Sequence, residues 1–177
     1  MIKDQKIEEF LKDVASPAPT PGGGAVSATT AATAAALVEM VVNLTKTGNL
    51  KRLGSEVSKK RQELLKLADE DARAFDAVMA AFRLSKEDQT RKERIQVAFK
   101  GASETPLKIA RIAKEINLAA RKAQKLGNKN ALSDAKTANY LSQAAKKSAI
   151  ENVKINLLYI KDGAFIKKME IALASLK

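Results

Sequence analysis

Neither cysteine nor histidine occurs among the 177 residues of this chain. Without cysteine there are no disulfides, no thiolate metal ligands and no sulfur nucleophile, and nothing indicates an oxidising compartment. Without histidine there is no Ser-His-Asp triad, no imidazole general base and no His-ligated metal, so proton transfer falls to Asp, Glu, Lys or Tyr. Only a carboxylate cluster could hold a metal, a hard cation such as magnesium or calcium. The acidic residues show no loop spacing of that kind, so neither a metal nor a cofactor is expected. Aromatics are scarce, five Phe and two Tyr, which argues against stacking platforms for single-stranded nucleic acid. Met1 to Lys6 carries charges where a signal peptide needs an apolar segment, so the cytoplasm is the expected location.

Proline is nearly confined to one place: three of the four prolines stand in Pro17-Ala18-Pro19-Thr20-Pro21, directly before Gly22-Gly23-Gly24. Rigid and permissive backbone meet at this bend, and the small residues Ala25 to Ala36 that follow read as a helix start. Bare backbone N–H groups at a helix N-terminus favour a carboxylate, a phosphate or a polar heterocycle. A tight turn that lets two helices pack closely explains the same residues.

What the chain has in quantity is basic charge and helical periodicity. Thirty-two Lys and Arg against 20 Asp and Glu give a net charge of +12, which suits an anionic partner. The basic residues are scattered among acids along helical segments, however, so a solvated surface or a polyanionic small molecule explains them better than nucleic acid. The length suits one domain, residues 1–177, with its own core.

No stretch alternates with a period of two, so the expected fold is an all-α, single-domain bundle of six to seven helices. Ile7, Phe10, Leu11 and Val14 stripe a first helix ending near Ala15. A second, from about Ala25 to Thr45, has Glu39 and Asn43 as its only strongly polar residues. It is expected to be the central Ala-rich core helix, buried on most sides, rather than a membrane span. Gly48 and Asn49 break the chain, and an amphipathic helix resumes from Leu50 to Phe82. Asp71 falls on its apolar side, three residues after Ala68 and four before Phe75, so the spacing that buries those neighbours tends to bury the carboxylate. Ser85 reads as the cap of a helix carrying Ile95 and Phe99, and Thr105-Pro106 as the start of another that runs to Leu126 and stops at Gly127. Ser133 is placed to cap a helix from Asp134 to Lys161, whose Asn152 and Asn156, four apart, share one face beside apolar neighbours. Two amides there need partners in the protein or in a ligand. Asp162-Gly163 precedes a final helix.

Four blocks in this order resemble the formiminotetrahydrofolate cyclodeaminase and methenyltetrahydrofolate cyclohydrolase family. They are Pro19 to Val26 with its three glycines, Met40-Val41-Val42-Asn43-Leu44-Thr45, Asp71-Ala72-Arg73-Ala74-Phe75, and Gly127 to Asp134 taken with Asn152 to Leu157. The resemblance covers nearly the whole chain. It implies an all-helical homodimer with a folate site, and a tetrahydrofolate derivative, with its possible polyglutamate tail, as substrate. A formiminotransferase is a candidate partner, and no membrane is implied. Cyclodeaminases close 5-formiminotetrahydrofolate to 5,10-methenyltetrahydrofolate with release of ammonia, whereas cyclohydrolases open the methenyl bridge to 10-formyltetrahydrofolate. Alanine at 25 replaces a common Ser, Thr29, Thr30 and Thr33 stand where relatives often carry glycines, and Ser85 stands where Pro is usual.

Both reactions need protons delivered and removed at nitrogen, which carboxylates can do without histidine. Asp134 in a helix first turn is expected to stay ionised and to orient the pterin or accept a proton. A more buried Asp71 is expected to have a raised pKa and to donate to the departing amine. Asn128, Ser133, Asn152 and Asn156 are expected to hydrogen-bond the heterocycle, the amides of Gly22, Gly23 and Gly24 to approach it closely, and Arg94 to hold the glutamate tail. The cyclodeaminase reading leads, the cyclohydrolase reading follows, and a non-catalytic module binding folate or nucleic acid is the rival of another class.

Overall fold

Helical periodicity becomes six α-helices in the computed structural model, which describes residues 1–45 and 50–176. The break expected at Gly48 and Asn49 lies outside the described residues. The helices are α1 (Ile7–Val14), α2 (Gly23–Asn43), α3 (Lys51–Arg83), α4 (Arg91–Leu126), α5 (Leu132–Leu157) and α6 (Gly163–Ala174), with short 3-10 turns at Ile2–Asp4 and Lys129–Ala131. Among the described residues there is no strand.

Helices α2 to α5 form an up-down-up-down four-helix bundle, each packed against the next and α5 back against α2. Side-chain pairs give the directions. Gly24 meets Asp71 and Gly54 meets Val42 across an antiparallel α2/α3 pair, and Glu39 receives the Arg61 Nε–H at 2.6 Å between the same helices. Asn117 donates to the Asn139 Oδ1 at 2.6 Å and Gln124 to the Ala135 carbonyl at 3.2 Å, which runs α4 against α5. Ser27 donates to the Ser148 hydroxyl at 2.8 Å, which closes the ring between α2 and α5.

The core is built on small residues. Gly24, Ala25, Ser27, Ala28, Ala31, Ala32, Ala34 and Ala35 of α2 are all buried, against Leu64, Leu67, Ile109, Ile116, Ala145 and Ala149 of the surrounding helices. With almost nothing beyond Cβ, α2 lets three neighbours close in, and dispersion contacts replace the bulk of large side chains. Burial on most sides does not hold, though: Thr33, Ala36 and Met40 on its opposite face are exposed. The stripe of α1 is also open, with Ile7 80% and Leu11 57% exposed.

Three expected boundaries are corrected. Pro106 does not start a helix; it lies buried within the single helix α4. Proline removes one donor, and the carbonyl it would have reached, that of Ala102, instead accepts from the Asn156 Nδ2 at 2.7 Å, so the helix continues. Ser85 caps nothing: α4 begins six residues later, because Asp88 Oδ1 takes the Thr90 N–H at 2.8 Å and holds the preceding residues in a turn. Ser133 is likewise not the cap of α5, which starts at Leu132 behind Ala131 without a side-chain cap. The side-chain capping in that loop is done by Asn128, whose Oδ1 accepts from the Asn130 N–H at 2.9 Å. Gly127 does end α4, yet without a left-handed angle, since no described glycine has a positive φ. What Gly127 supplies is room, because a Cβ there would stand 2.6 Å from the Val41 Cγ1.

Ala35 is fully buried in the middle of α2, and a larger side chain has nowhere to go. Ala35→Leu is expected to destabilise the fold by about 1–3 kcal/mol, read as a lowered urea midpoint with an unchanged slope.

Candidate functional site

The Pro/Gly loop delivers the chain to the N-terminus of α2, and α3 brings Asp71 to the same point. A Cβ on Gly24 would overlap the Asp71 carboxylate; its absence is what lets the carboxylate lie on the first turn of α2. There Asp71 accepts the backbone N–H of Ala25. Two forces act on the acid in opposite directions. Burial raises its pKa and the Ala25 hydrogen bond lowers it by a smaller amount, and the net effect lifts it from 3.8 to about 6. Desolvation wins because a single amide cannot replace the water removed from the carboxylate.

A cavity of about 140 Å³ opens beside this carboxylate, between the Gly22–Gly24 backbone and the Asn152 and Asn156 face of α5. Phe75 and Ile155 supply apolar walls, and Pro19, Thr20 and Ala102 complete the lining. Asn152 sits against Gly23, whose Cβ would lie 3.1 Å from the amide nitrogen. The Asn152 Nδ2 donates to the Ser148 carbonyl at 2.9 Å, while the Ser148 hydroxyl accepts from buried Ser27. Asn156 is held by the carbonyl that Pro106 frees. Both amides are therefore positioned by backbone groups of the bundle, which fixes their direction before any ligand arrives.

Of the expected site residues, the fold brings together Gly22, Gly23, Gly24, Asp71, Asn152 and Asn156. The other four stand elsewhere. Asn128 lies at the far end of α2, its Nδ2 donating to the Leu44 carbonyl at 2.8 Å and its N–H to the Thr45 Oγ1 at 3.0 Å. The 21 residues of α2 separate the two ends, about 30 Å at the rise of an α-helix. Ser133 is exposed and Asp134 half-buried in the first turn of α5, beside Asn128. Arg94 lies in a separate groove between α3 and α4, with Ala77, Ala81, Glu93 and Val97, in a volume of about 630 Å³. Phe75 and Ile155 read in the sequence only as apolar helix positions, and Ala102 is not expected in the site. Ala102 had a signal, four residues before a proline within helical periodicity. Among the described residues no group of three or more acidic side chains is arranged to hold a metal.

A helical bundle that presents a desolvated carboxyl, two fixed amides and a bare helix terminus around one cavity is equipped to bind a polar heterocycle and move a proton on it. The chain matches the family model for formiminotransferase-cyclodeaminase over residues 6–175, and it belongs to that family of folate one-carbon cyclodeaminases and cyclohydrolases. Methenyltetrahydrofolate cyclohydrolase of Methylorubrum extorquens is 39% identical to it, across 98% of this chain and 91% of the relative. Formimidoyltransferase-cyclodeaminase of Rattus norvegicus is 30% identical over 99% of this chain, which spans 35% of that longer protein. The crystal structure of formiminotetrahydrofolate cyclodeaminase from Thermotoga maritima superposes with a TM-score of 0.90 at 34% identity, over 99% of this chain and 90% of the other.

Gly24→Ala is expected to displace Asp71 and close the cavity, so that ligand binding falls more than stability does; calorimetric titration and thermal melts of the same variant separate the two. The acid also makes stability depend on pH. A carboxyl whose folded pKa of about 6 lies above its ordinary 3.8 binds more protons folded than unfolded. Its contribution is fully present below pH 4 and is lost as pH rises through 6. Asp71→Asn, which cannot ionise, is expected to gain up to about 3 kcal/mol on the wild type between pH 4 and pH 8, measured by urea unfolding across that range.

Proposed function

We propose that the chain converts 5-formiminotetrahydrofolate to 5,10-methenyltetrahydrofolate and ammonia, as a homodimer in the cytoplasm and without a metal or cofactor. The observation that carries the reading is Asp71, an acid whose pKa is pushed up to about 6, facing a cavity beside two fixed amides. In the ring closure N10 attacks the formimino carbon, and a tetrahedral carbon forms between N5, N10 and the former imine nitrogen. That nitrogen leaves as ammonia once it has received the N10 proton and one more. Asp71 supplies the second proton, and its pKa near the working pH is the value a general acid needs. Asn152 and Asn156 orient the pterin, the first-turn amides of α2 approach it closely, and a surface cation holds the glutamate tail. A formiminotransferase is the natural source of this substrate.

A second reading is favoured by the 39% identity with the Methylorubrum extorquens cyclohydrolase along nearly all of both chains. In it, water adds to the methenyl carbon, Asp71 in its ionised form accepts a proton from that water, and the bridge opens toward 10-formyltetrahydrofolate. Identical groups serve both reactions because both pass through the same kind of tetrahedral carbon.

Purified protein given 5-formiminotetrahydrofolate is expected to produce the methenyl chromophore and free ammonia in equal amounts. If the chromophore instead disappears when methenyltetrahydrofolate is the substrate and no ammonia forms from the first, the cyclohydrolase reading replaces it. Turnover of neither, with binding of folate or nucleic acid alone, supports a non-catalytic module. Asp71→Asn is expected to lower kcat by about 10²–10⁴-fold in either reaction.

A further inference from the structure

The cavity beside Asp71 encloses about 140 Å³, whereas sites that take a whole ligand of folate's size class enclose about 300–1,000 Å³. A folate that seats its pterin here must lay the rest of its length on surface beyond the cavity. Asn152 and Ile155, which line the cavity, also line an open groove of about 480 Å³ together with Glu151, Lys154 and Leu158. The two spaces therefore adjoin along one face of α5. The groove that holds Arg94 shares no lining residue with the cavity.

The groove next to the cavity has an apolar floor and a charged rim. Ile155 is 52% and Leu158 77% exposed; three residues apart, they share one side of α5 and leave apolar surface that a flat ring can cover. From Asn152 to Leu158 the helix rises about 9 Å, the scale of a para-substituted benzoyl spacer. Among the described residues lining the groove, Lys154 is the one cation. Its ammonium donates to the Glu151 Oε1 at 2.7 Å, and both side chains are more than half exposed. A pair in that setting contributes little to the fold, so Lys154 can turn to a ligand carboxylate at small cost. An ammonium has three donors, and Glu151 occupies one of them. Glu151 also sets a negative charge beside any carboxylate that Lys154 binds, which opposes it.

We propose that this groove is the subsite for the aminobenzoylglutamate part of the substrate, its ring over Ile155 and Leu158 and a glutamate carboxylate on Lys154, with Glu151 holding the affinity down. The inference rests on the folate reading for the identity of the ligand. Lys154, and not Arg94, meets the tail, because only the groove of Lys154 adjoins the cavity that would hold the pterin. The contact is made equally in the ground state and the transition state, so Lys154 acts on KM and leaves kcat alone.

Steady-state kinetics with 5-formiminotetrahydrofolate and with methenyltetrahydrofolate, together with an NMR titration of free 4-aminobenzoylglutamate, test the subsite. For whichever folate is turned over, Lys154→Ala is expected to raise KM about 3–5-fold with kcat unchanged. Glu151→Gln is expected to lower KM about two-fold. Lys168→Ala, which removes the same charge from an exposed position on α6, is expected to change neither constant, and so separates the contact from a loss of net charge. The effect of Lys154→Ala is expected to vanish with the corresponding pteroate, which keeps the ring and lacks the glutamate. An unchanged KM in Lys154→Ala, or an equal rise in Lys168→Ala, overturns the subsite while turnover keeps the functional reading. If the wild type turns over neither folate yet binds 4-aminobenzoylglutamate, and Lys154→Ala weakens that binding, the functional reading fails and the groove stands. Absence of both turnover and fragment binding overturns both.

Discussion

Everything in this molecule follows from how little side chain α2 carries. An alanine-rich helix packed against three others gains little from its own bulk, and its worth lies in what it permits. Three long helices approach it at short range, Gly54 and Val42 nearly touch, and the Asp71 carboxylate rests directly on its first turn. Were the first turn of α2 made of ordinary residues, Asp71 would have to turn outward into water. There its pKa would return toward the usual carboxylate range, and the bundle would survive without its acid.

The environment of that acid balances two opposed requirements. A proton donor at neutral pH must be kept from ionising too easily, which calls for desolvation. A carboxyl buried with no partner would be costly to fold around. The single Ala25 N–H at the positive end of α2 satisfies one lone pair without fully stabilising the anion, and the result is a group poised near pH 6. This is how a chain without histidine obtains a titration in the range where histidine ordinarily works.

Much of this was legible in the sequence. Periodicity gives the all-helical class and six to seven helices, which are six because the two expected on either side of Pro106 are one, and the spacing of Asp71 between Ala68 and Phe75 anticipates its partial burial and its raised pKa. The glycine run reads as a place where a ligand approaches the backbone; in the structure the Asp71 carboxylate and the Asn152 amide lie against Gly24 and Gly23, and the glycines supply space and not unusual backbone angles. Three things were hidden for definite reasons. Pro106 read as a boundary because a sequence does not show that a side chain 50 residues away replaces the lost donor. Ser85 and Ser133 read as caps because a local pattern cannot tell a helix start from a turn just before one. Asn128 to Asp134 read as part of one site with the glycines because motif order carries no distance, and antiparallel helices put neighbouring motifs at opposite ends.

The bond between Asn156 and the Ala102 carbonyl has a wider meaning for how such a site can change. An amide that completes a helix is not at liberty to adapt to a new ligand, for altering it leaves a backbone oxygen stranded inside the protein. Asn152, one turn away, and the adjacent Ile155 carry no such duty toward α4. The cavity thus has one wall committed to holding the scaffold together and one that can drift, and divergence toward another folate or another bond would be written first on the second.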